Sequence, residues 1–397
     1  MGIEYWIWLQ QVLGYGNSAV GRVISQYGNA ESFYKAPDSE KIARCHLSKN
    51  QIAKLHKVPR KEIAKIIKDS NSLGINIITP EDSTYPERLL NIPDPPAVLY
   101  VKGSRYDFNG NPTVAIVGPR KISDYGAGCG RVIANTLAAC GFTVVSGGAV
   151  GGDSAAHNGA IEAGGYTIGV LGCGIEADYL KVNAKLRETI TNYGCLVSEY
   201  PPFCGATRGS FPQRNRIMSG LSNGIVVLEG SIKSGTLITA RHAAEQGRDV
   251  FVIPGSPTLP QYEGSNRLIA DGARPLLNVN DIINEYRYIY PDKIHSPVRK
   301  TPVNISVKPQ LEEGKEDVIT ETVGPGEQRV CAKLDKAMLS DDAIEVLKVF
   351  EAFSDCFTSD DAIENSQLSA GTVLGAVTEL EICGFIEALP GGRYRLK

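Results

Sequence analysis

The chain has 397 residues, of which 42% are hydrophobic and 21% charged, and its formal net charge at pH 7 is -3. This length allows two or three domains with buried cores. The slightly acidic balance argues against a uniformly basic nucleic-acid-binding surface, but it leaves room for a local basic patch.

The cysteines and the hydropathy pattern restrict the environment of the protein. Nine cysteines form no CxxC pair, and the five histidines show no metal-ligand spacing. We therefore expect reduced thiols in a cytoplasmic protein without a metal site or cofactor. No apolar run reaches the roughly 18 residues of a membrane span, and the first residues lack a basic leader, so we expect neither a membrane anchor nor a signal peptide.

Residues 1–80 are predicted to form a small helical domain. Apolar residues recur at helical spacing in YWIWLQQVLG and in KEIAKIIKDSNSLG. The stretch LQQVLGYG resembles SAM-like or helix-hairpin-helix modules, in which glycine amides hold a DNA backbone. Arg22 is the basic residue near this stretch, so a purely packing role for the domain remains the alternative.

Residues 81–284 have the pattern of a doubly wound α/β domain. A proline-rich connector, YPERLLNIPDPPAVLYVKG, predicts an extended, structured link. Six apolar runs then alternate with helical stretches: TVAIVG, FTVVSGG, YTIGVLG, CLVSEY, GIVVLEG and DVFVIPG. Continuous apolar strands followed by helices predict a Rossmann-like parallel sheet covered on both faces. Ligands of such sheets bind at the carboxyl ends of the strands.

The loops after the first two strands are candidate anion sites. Arg120 lies in GPRKISDYG, directly before a predicted helix, where a guanidinium and backbone amides together favour an anion. Ser146, Gly147 and Gly148 begin the glycine-rich loop SGGAVGG, which allows the backbone to approach a ligand. His157, one turn inside the next helix, is predicted to be a packed or capping histidine and not a general base.

Two further loops carry competing interpretations. GCGIEA after the third strand fits a dinucleotide fingerprint with Glu199 downstream, but the fingerprint belongs on a first strand. LEGSIKSGTLITA contains Lys233, Ser234, Gly235 and Thr236, a phosphate-loop composition without the GxxxxGK[ST] pattern. Glu229 at this strand end is predicted to be a structural acceptor or a salt-bridge partner.

The stretch FPQRNRIMSG places Arg214, Asn215 and Arg216 before the fifth strand. Two arginines so close in sequence predict a clamp for an anion. Residues 201–275 contain eight basic and five acidic side chains, in contrast to the acidic whole chain. Several separated cations suit a polyanion backbone better than a single small phosphate.

These segments, in this order, resemble the DNA-processing protein A (DprA/Smf) family. The resemblance is carried by GPRKISDYG, VVSGGAVGGDSAAHNGAIEAGG, FPQRNRIMSGLS, KSGTLITARHAAEQGRDVFVIPG and EGSNRLIADGA. It implies an extended Rossmann fold and a homodimer that is not an enzyme, binds single-stranded DNA and loads the RecA recombinase during natural transformation. The strand-binding positions that it implies are Arg120, Ser146, Gly147, Gly148, Arg214, Asn215, Arg216, Lys233, Ser234, Gly235 and Thr236.

The C-terminal part is predicted to contain a linker, residues 285–335, and a winged helix, residues 336–397. The predicted recognition helix, LSAGTVLGAVTELEICG, contains two glutamates and no Lys or Arg. We therefore expect a protein-contact or regulatory role for this module, because an acidic helix is repelled by phosphates. The alternative function for the whole chain is a nucleotide-binding or nucleotide-hydrolysing enzyme on the same sheet, although the PGGxGT loop of phosphoribohydrolases is absent.

Overall fold

The structure is a computed structural model that describes residues 2–104, 107–179, 181–295, 339–351, 357–366, 368–382, 385–389 and 393–396. The chain divides into two compact units, Met1–Asn304 and Ile305–Lys397. None of the helices in the described ranges has a hydrophobic stretch long enough to serve as a transmembrane span.

Six short helices open the first unit, as the helical spacing of the apolar residues predicts. Their core contains Trp6, Trp8 and Phe33 together with Tyr100 and Leu196 from the edge of the neighbouring sheet. The helices therefore pack directly against the sheet. They are α1 (Ile3–Leu13), α2 (Ala19–Tyr27), α3 (Ala30–Lys35), α4 (Asp38–Cys45), α5 (Lys49–Lys54) and α6 (Arg60–Ser72).

A nine-stranded sheet forms the centre of this unit. Its order is β1-β2-β6-β5-β4-β3-β7-β8-β9, and the seven strands from β6 to β9 in this order are parallel. β1 and β2 extend the sheet by antiparallel pairing. The strands are β1 (Asn76–Ile78), β2 (Leu99–Gly103), β3 (Thr113–Val117), β4 (Thr143–Gly147), β5 (Thr167–Leu171), β6 (Cys195–Ser198), β7 (Gly224–Val227), β8 (Asp249–Val252) and β9 (Arg274–Pro275).

Alternate residues of the central strands enter two separate cores, because successive side chains of a strand point to opposite faces. Val114 and Ile116 of β3 belong to the core beneath α8, α9 and α14, whereas Ala115 and Val117 belong to the core beneath α7, α11 and α12. The helices around the sheet are α7 (Glu87–Leu90), α8 (Asp124–Ala139), α9 (Gly152–Glu162), α10 (Ala184–Tyr193), α11 (Ser210–Leu221), α12 (Gly235–Glu245), α13 (Pro260–Ala270) and α14 (Val279–Arg287).

The second unit has the helices and the hairpin of a winged helix. Phe350, Phe357 and Leu380 lie in its small core, and β10 and β11 both pair with β12. Its elements are α15 (Asp341–Glu351), β10 (Phe357–Thr358), α16 (Ser359–Asn365), α17 (Ala370–Ile382), β11 (Ile386–Leu389) and β12 (Arg393–Leu396).

The doubly wound sheet and the C-terminal winged helix are thus as predicted. The six predicted strands correspond to β3 through β8, whereas β1, β2 and β9 were not predicted. The proline-rich connector is extended where it forms β2, but it also contains the short helix α7, which was not expected. Most of the predicted linker, from residue 296 onward, lies outside the described residues, as does the turn of the hairpin.

Candidate nucleic-acid interface

The strands β3 and β7 are neighbours in the sheet, and the order of the strands reverses between them. β4, β5 and β6 follow one another on one side of β3, and β7, β8 and β9 follow on the other. A crevice opens at the carboxyl ends of the strands at such a switch point. Here the crevice is a pocket of about 280 Å³, whose lining includes Gly118, Arg120, Asp153, Phe211, Arg214, Asn215, Ser234, Gly235 and Thr236.

Arg214, from α11, forms the floor of this pocket. Its side chain is only 7% exposed, its Nη1 donates to the carbonyl of Val170, and its Nε donates to the side chain of Asn215 at 3.2 Å. Burial lowers the pKa of Arg214, and the carboxylate of Asp153 opposes this shift. A Cβ at Gly147 would collide with both the guanidinium and the Asp153 carboxylate. A side chain at this position would therefore displace the guanidinium or the carboxylate from its present place.

Arg120 lies at the rim of the same pocket. It is exposed, its Nη2 donates to the hydroxyl of Tyr179 at 3.1 Å, and its guanidinium carbon lies 5.3 Å from the centre of the Phe211 ring. The rings of Tyr179 and Phe211 are themselves 5.3 Å apart. The rim thus combines a cation with two aromatic rings, which suits a nucleotide chain with phosphates and bases.

The N-terminus of α12 forms the opposite wall. Ser234 caps this helix, since its hydroxyl accepts from the amide of Thr236 at 3.2 Å. Lys233 is exposed in the turn just before it, and the carbonyl of Gly235 accepts from the side chain of Asn215 at 3.5 Å. A helix N-terminus beside an exposed ammonium favours the binding of an anion. The wall therefore adds a third source of positive potential.

The loop after β4 lies behind the pocket. Ser146 is fully buried, with its hydroxyl 2.6 Å from the carbonyl of Ile116 and 3.1 Å from the carboxylate of Asp153. The carbonyl of Gly148 accepts from the side chain of Asn183 at 3.2 Å. Ser146, Gly147 and Gly148 therefore position Asp153 and Arg214, and their burial does not suit the direct contact with a strand that the sequence predicted.

His157 supports this loop from inside the protein. It is fully buried, with Nε2 2.8 Å from the carbonyl of Gly147 and Nδ1 2.8 Å from the hydroxyl of Thr167. Since a carbonyl can only accept, Nε2 carries the hydrogen in the neutral ring. Burial lowers the pKa of His157. The prediction of a packing histidine is confirmed.

Arg216 does not join the pocket, which corrects the prediction of a clamp formed by the two arginines. A separation of two residues turns a helix by about 200°, so Arg214 and Arg216 leave α11 on opposite sides. Arg216 is 1% exposed, its Nη2 donates to Glu199 at 2.6 Å, and its Nε is 3.2 Å from Asp94. The guanidinium of Arg216 is paired with a buried carboxylate, so this side chain is not available to a phosphate.

Glu199 is committed to the same buried cluster. Besides Arg216, its carboxylate accepts from the amide of Gly16 at 3.3 Å, in the hairpin between α1 and α2. Burial raises the pKa of Glu199, and Arg216 opposes this shift. The hairpin amide that could hold a DNA phosphate thus holds a carboxylate of the protein, which favours the packing alternative for the N-terminal helices.

The other acidic candidate and the dinucleotide motif also have structural roles. Glu229 is fully buried and accepts from the amide and the hydroxyl of Ser123, at 2.9 and 2.7 Å, at the start of α8. This confirms its prediction as a structural acceptor. In GCGIEA, the amide of Gly174 donates to the carbonyl of Cys204 at 2.8 Å, and a Cβ there would collide with the carbonyls of Pro201 and Pro202. That glycine is explained by packing, and Glu199 is not free for a ribose.

Sequence reasoning missed Tyr179 and the role of Asn183 as supports of the pocket. Both follow β5, and the motif GCGIEA in that loop indicated only a dinucleotide fingerprint. An aromatic residue in a strand-end loop beside cationic loops was the available signal, because single-stranded nucleic acids use stacking as well as charge.

In the winged helix, one of the two glutamates of α17 is a structural residue. Both carboxylate oxygens of Glu379 accept from Ser340, from its amide and its hydroxyl, each at 2.7 Å. These hydrogen bonds lower the pKa of Glu379. On β12, Arg395 pairs with Glu387. The charge of this module is therefore partly satisfied within it.

Comparisons with known proteins agree with this architecture. Residues 76–287 match the family model described as DNA recombination-mediator protein A, and residues 321–392 match the DprA winged helix domain. The chain is 32% identical to Protein Smf of Synechocystis sp., over 98% of each chain. It is 38% identical to the DNA processing protein DprA of Bacillus subtilis, over 60% of this chain and 78% of the relative. The crystal structure of DprA from Streptococcus pneumoniae superposes with a TM-score of 0.63 and 31% identity, over 71% of this chain and 97% of that one.

Proposed function

Because the chain belongs to the DNA recombination-mediator protein A family, we propose that it is a recombination mediator that binds single-stranded DNA at the β3–β7 crevice. The observation that carries this proposal is the convergence of Arg120, Arg214 and the N-terminus of α12 from three separate chain segments, with Lys233 exposed in the turn just before α12. Phosphates of one strand would contact these groups in succession, which gives affinity that does not depend on sequence.

The aromatic rim supports a single strand over a duplex. Phe211 and Tyr179 flank Arg120 at the mouth of the pocket. Only a single strand offers the faces of its bases for stacking on such rings. A duplex would contribute phosphates alone, so we expect it to bind more weakly.

A binding role is also favoured by the state of the potential catalytic groups. Glu229 and His157 are fully buried and hydrogen-bonded to the protein, and Asp153 accepts from the amide of Ala149 at 3.2 Å. General acid–base catalysis needs a group within reach of the substrate. Glu229 and His157 are therefore out of reach, and the carboxylate of Asp153, which lines the pocket, already accepts from the Ser146 hydroxyl and the Ala149 amide. This supports a mediator over a nucleotide-hydrolysing enzyme.

The proposed compartment, oligomeric state and partner of the protein are based on its membership of this family. We propose that the protein acts in the cytoplasm as a homodimer and loads a RecA-type recombinase onto the bound strand during natural transformation. Recombinase filament assembly on a protein-coated single strand, with and without this protein, tests the loading step. Light scattering tests the dimer.

The binding site is tested with a fluorescent single-stranded oligonucleotide and the matching duplex, titrated across a salt series. We expect single-strand binding with a steep salt dependence and weaker duplex binding. Lys233→Ala should weaken binding by about fivefold and reduce the magnitude of the salt slope by about 1.

Lys293→Ala provides the matched control. Lys293 is also exposed, but its backbone lies beside Gly141, just before β4, at the amino-terminal edge of the sheet. Its removal should leave the affinity unchanged. Equal effects of the two substitutions, or no binding by the wild type, would contradict the proposed site.

A further inference from the structure

Arg120 differs from its exposed neighbour Lys121 in how its side chain is held. A long exposed arginine usually samples many rotamers, and fixing it on binding costs conformational entropy. Here the guanidinium has two fixed neighbours, the Tyr179 hydroxyl at 3.1 Å and the Phe211 ring at 5.3 Å. Lys121, the next residue, is exposed and has no hydrogen bond or ion pair within the described part of the chain.

The two neighbours come from different parts of the fold. Tyr179 belongs to the loop after β5, Phe211 to the first turn of α11, and Arg120 to the loop after β3. The two rings also contact each other, with a centroid distance of 5.3 Å. A hydroxyl oxygen that accepts from the guanidinium fixes its direction, and the ring fixes its distance from the pocket.

We propose that Tyr179 is a positioning residue for single-strand binding, which acts through its hydroxyl by pre-orienting Arg120 toward the phosphate. This inference rests on the proposed function, and it assigns to Tyr179 no contact of its own with the phosphate. Pre-orientation removes part of the entropic cost of binding and leaves the number of phosphate contacts unchanged. It therefore predicts a different response from that of a residue that binds phosphate directly.

The test compares Tyr179→Phe, Arg120→Ala and the double variant, by oligonucleotide binding across a salt series. Tyr179→Phe should lower the affinity about threefold, the size of one lost hydrogen bond, without changing the salt slope. Arg120→Ala should lower the affinity further and reduce the magnitude of the slope by about 1. In the Arg120→Ala background, Tyr179→Phe should have no further effect.

Tyr288→Phe is the control, because it removes the same hydroxyl from a side chain that is 91% exposed. It should bind as the wild type does. An effect of Tyr179→Phe that persists without Arg120, or a changed salt slope, would overturn the inference. So would wild-type affinity of Tyr179→Phe. Failure of the wild type to bind would instead count against the proposed function itself.

Discussion

Helix α11 presents two arginines to two very different environments. Arg214 lies at the floor of an open pocket, next to Asp153 and hydrogen-bonded to a backbone carbonyl. Arg216 lies on the opposite side, paired with Glu199 and Asp94 beneath the N-terminal helices. Both are largely buried, at 7% and 1% exposure. The two arginines differ in the surface of the protein that they reach. Arg214 reaches a pocket that opens to solvent, whereas Arg216 reaches a surface that is covered by α1.

The closed side is held by several contacts from the N-terminal helices. Gln10 donates to the carbonyl of Glu199 at 2.9 Å, and the rings of Tyr15 and Tyr200 are 4.4 Å apart. Tyr200 in turn donates to the side chain of Gln213 at 2.9 Å, on α11. The helical domain thus fixes α11 from behind, while the front of the same helix faces the ligand. Similar residues in one motif therefore separate into a stabilising role and a binding role.

The largest expected effect is a loss of stability when the ion pair on the closed side of α11 is broken. Arg216→Met keeps much of the side-chain volume but leaves Glu199 as an uncompensated buried charge. We expect the free energy of unfolding to fall by about 3–5 kcal/mol, as for other broken buried ion pairs. Denaturant unfolding measures this change.

The double variant Arg216→Met/Glu199→Gln sharpens this comparison. It removes the fully buried charge of Glu199 and leaves only the partly exposed Asp94 without its partner, and the glutamine oxygen can still accept from Gly16. We therefore expect it to regain most of the lost stability. A double variant as unstable as Arg216→Met, or an Arg216→Met variant as stable as the wild type, would refute the structural role of this pair.

The next largest effect is a loss of single-strand affinity when the arginine on the open side of α11 is removed. Arg214→Ala removes the cation of the pocket floor and leaves Asp153 to repel phosphate. We expect the free energy of single-strand binding to weaken by about 1.5–3 kcal/mol, which is the range of hydrogen bonds to charged groups. Fluorescence titration of an oligonucleotide measures this change, and circular dichroism checks that the variant is folded.

Arg214→Lys is the matched comparison, since it keeps the charge but not the planar fork of donors. Its affinity should lie between those of the wild type and Arg214→Ala. If Arg214→Ala binds normally while Arg216→Met, tested where it remains folded, loses binding, then the assignment of the two arginines is reversed.

The smallest expected effect is a pH dependence of stability that comes from His157, which is buried behind the pocket. Its folded-state pKa is lowered from the ordinary value of 6.5 by burial. As the pH falls through that value, the unfolded chain takes up a proton that the folded protein does not, so stability is lost toward acid. The loss cannot exceed about 1.4 kcal/mol per pH unit for one proton.

Thermal or denaturant unfolding between pH 7.5 and 5.5 measures this dependence. His157→Gln should flatten it, apart from the contribution of other groups. His295→Gln, which removes an exposed histidine, should leave it as in the wild type. An unchanged pH dependence in His157→Gln would exclude His157 as its source.

The sequence predicted the sheet well because two-sided burial leaves a direct signal. Strands such as TVAIVG are apolar throughout, and each is followed by a helical stretch. The short strands β1 and β9, of three and two residues, gave no such signal. Glu229 and His157 were predicted as structural residues, since a strand-end carboxylate and a helical histidine usually satisfy backbone or side-chain partners.

The amino-acid sequence by itself determined the doubly wound sheet, the winged helix, the family and the loops that meet at the carboxyl ends of the strands. The tertiary structure alone decided which arginine faces the pocket. Arg216 finds Glu199 and Asp94, which are 17 and 122 positions earlier in the chain, because the fold brings the end of β6 and the segment before β2 next to α11. Likewise, Tyr179 reaches Arg120 only because β5 and β3 end at the same edge of the sheet. Such partners depend on which segments the fold brings together, and no local spacing in the sequence records them.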